Sequence, residues 1–160
     1  MGKQVVVKGD SVKGTDTHNV TGCIASPPGP YTGVADFTYD GAMTEGLSDF
    51  VRIAGVPVAL VTSRSSLNAG EAVAPTGKHS GPLGGNFIPT APLPVPLSVK
   101  ITDTPLGTGI PNSAAGSALL TVNGVKVLLD ADKIDTCSGT GAPAGSAVTS
   151  KGQDFVTCSA

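Results

Sequence analysis

Five residues in this chain are of the types that hold soft or borderline metal ions: His18, Cys23, His79, Cys137 and Cys158. A structural zinc centre takes four such ligands in a tetrahedron, normally from Cys and His. No CxxC pair is present, so the ligands would have to be gathered by the fold rather than by a local knuckle. His18, His79, Cys137 and Cys158 each sit in a Gly-rich loop or beside a strand end, and three of the four follow a hairpin at its exit. As a set they form a candidate Cys2His2 zinc site. Cys23, between Gly22 and Ile24, reads as a small core hydrophobe and as an alternative fourth ligand. Taken singly, each residue has a plainer role: a loop histidine is usually solvated, and a cysteine beside a valine usually packs as an apolar group.

Other chemistries find less support. Asp10, Asp130, Asp132 and Asp135 are candidates for acid–base work, but DADKID lacks the alternating ligands, central Gly and closing Glu of a calcium loop. Asp10 and Asp132 more plausibly accept backbone N–H bonds in turns. There is no GxSxG elbow, and the clusters GPLGG and GTGAPAG lack the Lys-Ser/Thr pair that closes a phosphate loop. A metallohydrolase would need three ligands, an open position for water, and a general base such as Asp135 or Glu71.

The elements that must position these residues are short strands. Residues 51–61 read VRIAGVPVALV and residues 120–130 read LTVNGVKVLLD. Each is an apolar run, a tight turn at Gly55 or Gly124, and a second apolar run. Asn123-Gly124 between alternating apolar residues is a strong hairpin signal. The N-terminal VVVKGD reads as a degenerate third copy of the hairpin exit, with Asp10 matching Asp132. Copies of one supersecondary unit stack so that each buries what it cannot bury alone, and three around an axis is the natural arrangement. GAMTEGLSDF has room for one short helical turn, weakened by Gly41 and Gly46. Pro92, Pro94 and Pro96 predict an extended edge leading into a strand at Val99 and Ile101. The tail predicts one more strand pair, 147–150 with 155–157, turned at Lys151-Gly152.

Composition fits this picture. Gly contributes 22 residues and Pro 13, aromatics are 4% and Trp is absent, which argues against a conventional core built on large rings. The chain does not rest on large rings for its expected core, yet it is 39% hydrophobic and only 14% charged, too apolar for intrinsic disorder. The net charge of -2 and the scattered Lys and Arg argue against nucleic-acid binding. No run approaches the ~20 apolar residues of a membrane-spanning helix, and the apolar run after the start stops at Val7, too short for a secretory signal. With 160 residues, one domain spanning 1–160 is expected. The predicted class is mostly β: a small cone of repeated hairpins with Gly/Pro-rich loops, its apex pinned by a metal.

Gly9-Asp10 followed by His18, then VRIAGVPVALV, then TVNGVKVLLDADK with Cys137, resembles the PAAR-repeat family over nearly the whole length. The resemblance implies a β-rich cone that caps the trimeric spike of contractile injection machines, type VI secretion systems and phage-tail-like particles. It implies a zinc ion near the apex, held in that family by three His and one Cys. His18 and His79 match the histidine positions, Cys158 falls where a late Cys ligand would lie, and Cys137 stands in for the third histidine. The partner implied is a homotrimeric β-helix spike of the valine-glycine-repeat type, bound through the cone base, with effector cargo and a pierced target membrane as further contacts. The activity implied is structural, not enzymatic. The protein would be made in the cytoplasm without a signal peptide and carried at the tip of the particle. A small zinc hydrolase and a metal-free β-rich decoration or adhesin protein are the alternatives.

Overall fold

The computed structural model describes residues 2–25, 28–67, 77–78, 96–102, 107–136 and 144–159. Among these the strands in chain order are β1 (Lys3–Gln4), β2 (Ser11–Ala25), β3 (Pro28–Glu45), β4 (Arg52–Ile53), β5 (Val56–Pro57), β6 (Arg64–Leu67), β7 (Gly77–Lys78), β8 (Pro96–Ile101), β9 (Thr108–Pro111), β10 (Thr121–Val122), β11 (Val125–Lys126), β12 (Lys133–Thr136), β13 (Ala144–Thr149) and β14 (Thr157–Cys158). The described residues contain no helix, and the mostly-β class holds.

Six strands close a small barrel in the order β3-β6-β9-β12-β13-β2, with β2 returning to β3. Closure removes the open edges that a sheet of this size would otherwise expose. Over one mouth lie three short hairpins: β4–β5, β10–β11, and β14–β1. The first two are the repeats seen in the sequence. Their turns place Ala54 at φ 49 and Gly55 at φ 81, and Asn123 at φ 50 and Gly124 at φ 78. Two successive left-handed residues are what a type I′ hairpin turn requires, which is why Gly and Asn-Gly stand there. The third hairpin joins the two ends of the chain, Lys3 opposite Cys158 and Gln4 opposite Thr157.

Between hairpins and barrel run three buried tripeptides, 5–7, 58–60 and 127–129. Alternation at period two splits their side chains between two cores. Val6, Ala59 and Leu128 point into the barrel with Val12, Met43, Ile134 and Val148. Val5, Val7, Val58, Leu60, Val127 and Leu129 face the hairpins, where they meet Ile53 and Val122. Both faces are covered, so these runs read as unbroken apolar triplets rather than alternating ones. Each fully buried Val or Leu is worth roughly 1.5–3 kcal/mol, and with Tyr39, the aromatic member of the barrel cluster, they supply the core.

The barrel uses only the first part of the β2–β3 pair. Ser11, Val12 and Lys13 meet β13, and Gly41 to Glu45 meet β6. Beyond that the two strands stay paired out to Ala25 opposite Pro28, forming an arm that leaves the barrel at the mouth opposite the hairpins. β8 lies against the arm at residues 20–24 and β7 at Phe37 and Thr38.

Three expectations are corrected. Residues 41–45 continue β3 rather than starting a helical turn, because their main-chain groups pair with β6; a Cβ at Gly41 would come within 2.3 Å of the Ser66 carbonyl oxygen, so the glycine permits strand contact. The tail pair does not form: β13 joins β12 and β2, while Thr157–Cys158 joins β1. The Lys151-Gly152 amides, which would have closed that turn, instead donate to the Asp10 carboxylate at 2.8 and 2.7 Å. Cys23, expected in the core, is exposed on the arm.

Candidate functional site

The hairpin end is threefold in detail. The central tripeptides donate to one another in a closed ring: Val6 N–H to the Leu128 carbonyl, Leu128 N–H to Ala59, Ala59 N–H to Val6, at 2.9–3.0 Å. Bridges Val7–Val58, Leu60–Val127 and Leu129–Val5 repeat the same step around the axis. A closed ring of three equivalent donors and acceptors is the signature of a pseudo-threefold axis through one chain.

Each tripeptide exits through the same corner. A side-chain oxygen three residues on accepts the N–H of the tripeptide's last residue: Asp10 from Val7, Ser63 from Leu60, Asp132 from Leu129, all at 2.8 Å. These are Asx and Ser turns, in which the side chain supplies the acceptor that the backbone lacks. The match of Asp10 with Asp132 read from the sequence is therefore present, with Ser63 as the third member. The entry corners agree too: Ser48 accepts from Val51 N–H, Ser117 from Leu120 and Gln153 from Val156, at 2.7–3.0 Å.

This correspondence places Cys158. It stands where Ile53 and Val122 stand in the other two hairpins, partly buried against the same cap cluster. Its Sγ lies 3.3 Å from Ser117 Oγ and 3.2 Å from the Ser159 carbonyl oxygen. His18 is elsewhere. It is buried on the arm, opposite Ala35, with its ring centroid 5.5 Å from that of Phe37. His18 lies seven residues beyond Ser11 on β2, about 23 Å along the strand at ~3.3 Å per residue, and the strand runs away from the cap. Zinc ligands must all lie within about 2.3 Å of the ion, so the structure does not bring His18 and Cys158 together. His79 and Cys137 lie outside the described residues. Among the described residues, no group of three His, Cys, Asp or Glu side chains gathers as a metal site would require.

Sequence reading passed over three other residues. Phe50, Leu119 and Phe155 directly precede the equivalent positions Val51, Leu120 and Val156, and all three are exposed. The signal was available for two of them, since Phe50 and Leu119 sit one residue before the visible repeats. The third required knowing that the chain ends form a hairpin.

The chain matches no family model, no curated protein and no solved structure.

Proposed function

We propose that this protein is a non-enzymatic tip that caps the homotrimeric central spike of a contractile injection apparatus and sharpens it for membrane piercing. The machine is drawn from the sequence resemblance. The observation that carries the reading is the pseudo-threefold ring of the cap. A single chain seated coaxially on a trimer offers an ordinary surface to one protomer and mismatched surfaces to the other two. Three near-equivalent units let one chain meet all three protomers in nearly the same way, so one binding event forms three similar contacts. The hairpin end is the base in this reading, and the arm end is the leading end.

Zinc is proposed at the leading end. His18 is the described residue that would contribute there. In sequence, His79 directly follows β7, whose Lys78 pairs with Thr38 beside Phe37, and Cys137 directly follows the last residue of β12. Cys158 belongs to the cap and not to this set. A metal crosslink at this end would stiffen a region where, among the described residues, two- and three-stranded sheet stands outside the barrel.

The test is light scattering coupled to size-exclusion chromatography, on the purified chain mixed with each trimeric β-helix spike protein encoded in the same genome. A complex of one chain per trimer is the expected result. Formation of no complex with any of them would overturn the reading.

A further inference from the structure

Three large apolar side chains are strongly exposed at the hairpin end: Phe50 at 62%, Leu119 at 73% and Phe155 at 64%. They are not scattered. Each precedes the residue whose carbonyl accepts the first cross-hairpin bond, Val51 from Val58, Leu120 from Val127 and Val156 from Val5. The pseudo-threefold axis therefore relates all three. Phe50 also borders an open cleft of about 350 Å³ that reaches Val122, Asn123 and Val125 of the neighbouring hairpin and is lined by polar Ser48, Asp49 and Thr62 as well as by Leu47 and Leu60.

We infer that Phe50, Leu119 and Phe155 form a three-point docking face for a homotrimer that presents three equivalent apolar sites. This rests on the tip reading above for the kind of partner; the face itself comes from the symmetry and exposure of the three residues. At roughly 200 Å² for a large apolar side chain, these exposures leave about 400 Å² of apolar surface. Summed over three positions, one on each unit, that is about half of the ~800 Å² per partner that a standard stable interface buries. One apolar anchor on each unit gives each of three equivalent partner sites its own contact.

Charge selects among occupants. Asp49 and Asp154, both exposed, directly precede Phe50 and Phe155. A second copy stacked face to face would bring these carboxylates toward their own counterparts. Leu119 follows Ala118, and each hairpin also carries one cation, Arg52, Lys126 and Lys3; a partner with Lys or Arg opposite Asp49 and Asp154 and a carboxylate opposite each of those cations would complement the face and steer the encounter.

The experiment uses the full chain, wild type and with Phe50→Asp, Leu119→Asp and Phe155→Asp combined. Ile110→Asp serves as control, because Ile110 is exposed on barrel strand β9, away from the hairpins. Melting temperatures come first, followed by affinity for each purified trimeric spike protein of the source genome by interferometry. The milder Phe50→Ser and Phe155→Ser variants are measured separately, so that a misfolded triple variant does not end the test. The expected result is unchanged melting, at least about 1,000-fold weaker binding for the triple variant, about 10-fold or more for each single variant, and no change for Ile110→Asp. Folded variants that bind as tightly as wild type would overturn the face and leave the tip reading standing. A wild type that ignores every trimer would overturn both. Self-association of wild type that is lost in the triple variant would assign the face to a second copy instead, and overturn the trimer.

Discussion

The first two hairpins of the cap are continuous pieces of chain, and the third is assembled from both ends. The comparison shows what holds a strand pair when covalent continuity is absent. In the closed hairpins, tight turns at Gly55 and Gly124 keep the strands together, and the corners need little help: Ser63 accepts one backbone N–H, from Leu60, and Asp132 accepts two, from Leu129 and Gly116. At the split hairpin the exit corner at Asp10 and the entry corner at Gln153 are both more heavily bonded. Asp10 accepts from Val7, Lys151 and Gly152. Gln153 donates to the Val5 and Val156 carbonyls and accepts from Phe155 and Val156, while Ser150 adds a bond to Val5. Side chains replace the missing turn. They offset the entropy cost of pairing Lys3 with Cys158, residues 155 apart in sequence (158 − 3).

The strongest way to break this comparison is at Asp10. Its carboxylate is buried, and each charge-assisted bond to a backbone donor is worth about 1.5–3 kcal/mol before the stranded donors are counted. Asp10→Ala is expected to destabilise by about 4 kcal/mol, Asp132→Ala by about 2–3 and Ser63→Ala by about 1, measured by chemical denaturation. Equal losses at the three corners would mean that the split hairpin carries no special load. Gln153→Ala comes next, at about 3 kcal/mol. It should also speed hydrogen exchange at the Val5 and Val156 amides while leaving Val58 and Val127 protected.

Covalent closure sharpens the comparison from the other side. Joining the chain ends through an Asn-Gly turn gives the third hairpin what the other two already have. Removing chain freedom from the unfolded state should stabilise by about 2 kcal/mol. In that closed chain Gln153→Ala should cost less than in the open one, because the turn and the side chain do the same job. An opening at Gly55 should be costlier than the one between β14 and β1, since Ser48 and Ser63 offer fewer bonds than Gln153 and Asp10. Thermal and denaturant melts of the closed and reopened chains would decide it.

How much of this could be read in the sequence follows from where each signal lives. The two closed hairpins were legible because their turns demand left-handed residues, and Gly55 and Asn123-Gly124 advertise that locally. Asp10 was legible as a partner of Asp132 because both follow an apolar triplet at the same spacing. The third hairpin was not, since no local pattern marks a pairing of Lys3 with Cys158 across the whole chain. Barrel closure and the run of β2–β3 into one long arm depend on registers, not on residue types. The tail was misread for the same reason: Lys151-Gly152 looks like a hairpin turn until Asp10 arrives from the other end to claim its amides. Phe50, Leu119 and Phe155 look like core residues by type, and only their exposure marks them as a surface.

The smallest expected effect separates the cap from the arm. If Cys158 were a zinc ligand, replacing it with valine would lower metal content and stability together. The threefold correspondence makes it the counterpart of Ile53 and Val122, an apolar side chain in the cap cluster. Cys158→Val should then change stability by less than about 0.5 kcal/mol, because the site is only partly buried and its counterpart Val122 already holds a valine. Ser117 Oγ loses one sulfur contact but keeps the Leu119 and Leu120 amides as donors. Elemental mass spectrometry on the same preparation should show zinc content equal to wild type, whereas His18→Ala should lower it. A Cys158→Val protein that loses its metal would return the cysteine to the ligand set and require the cap and the arm to approach one another.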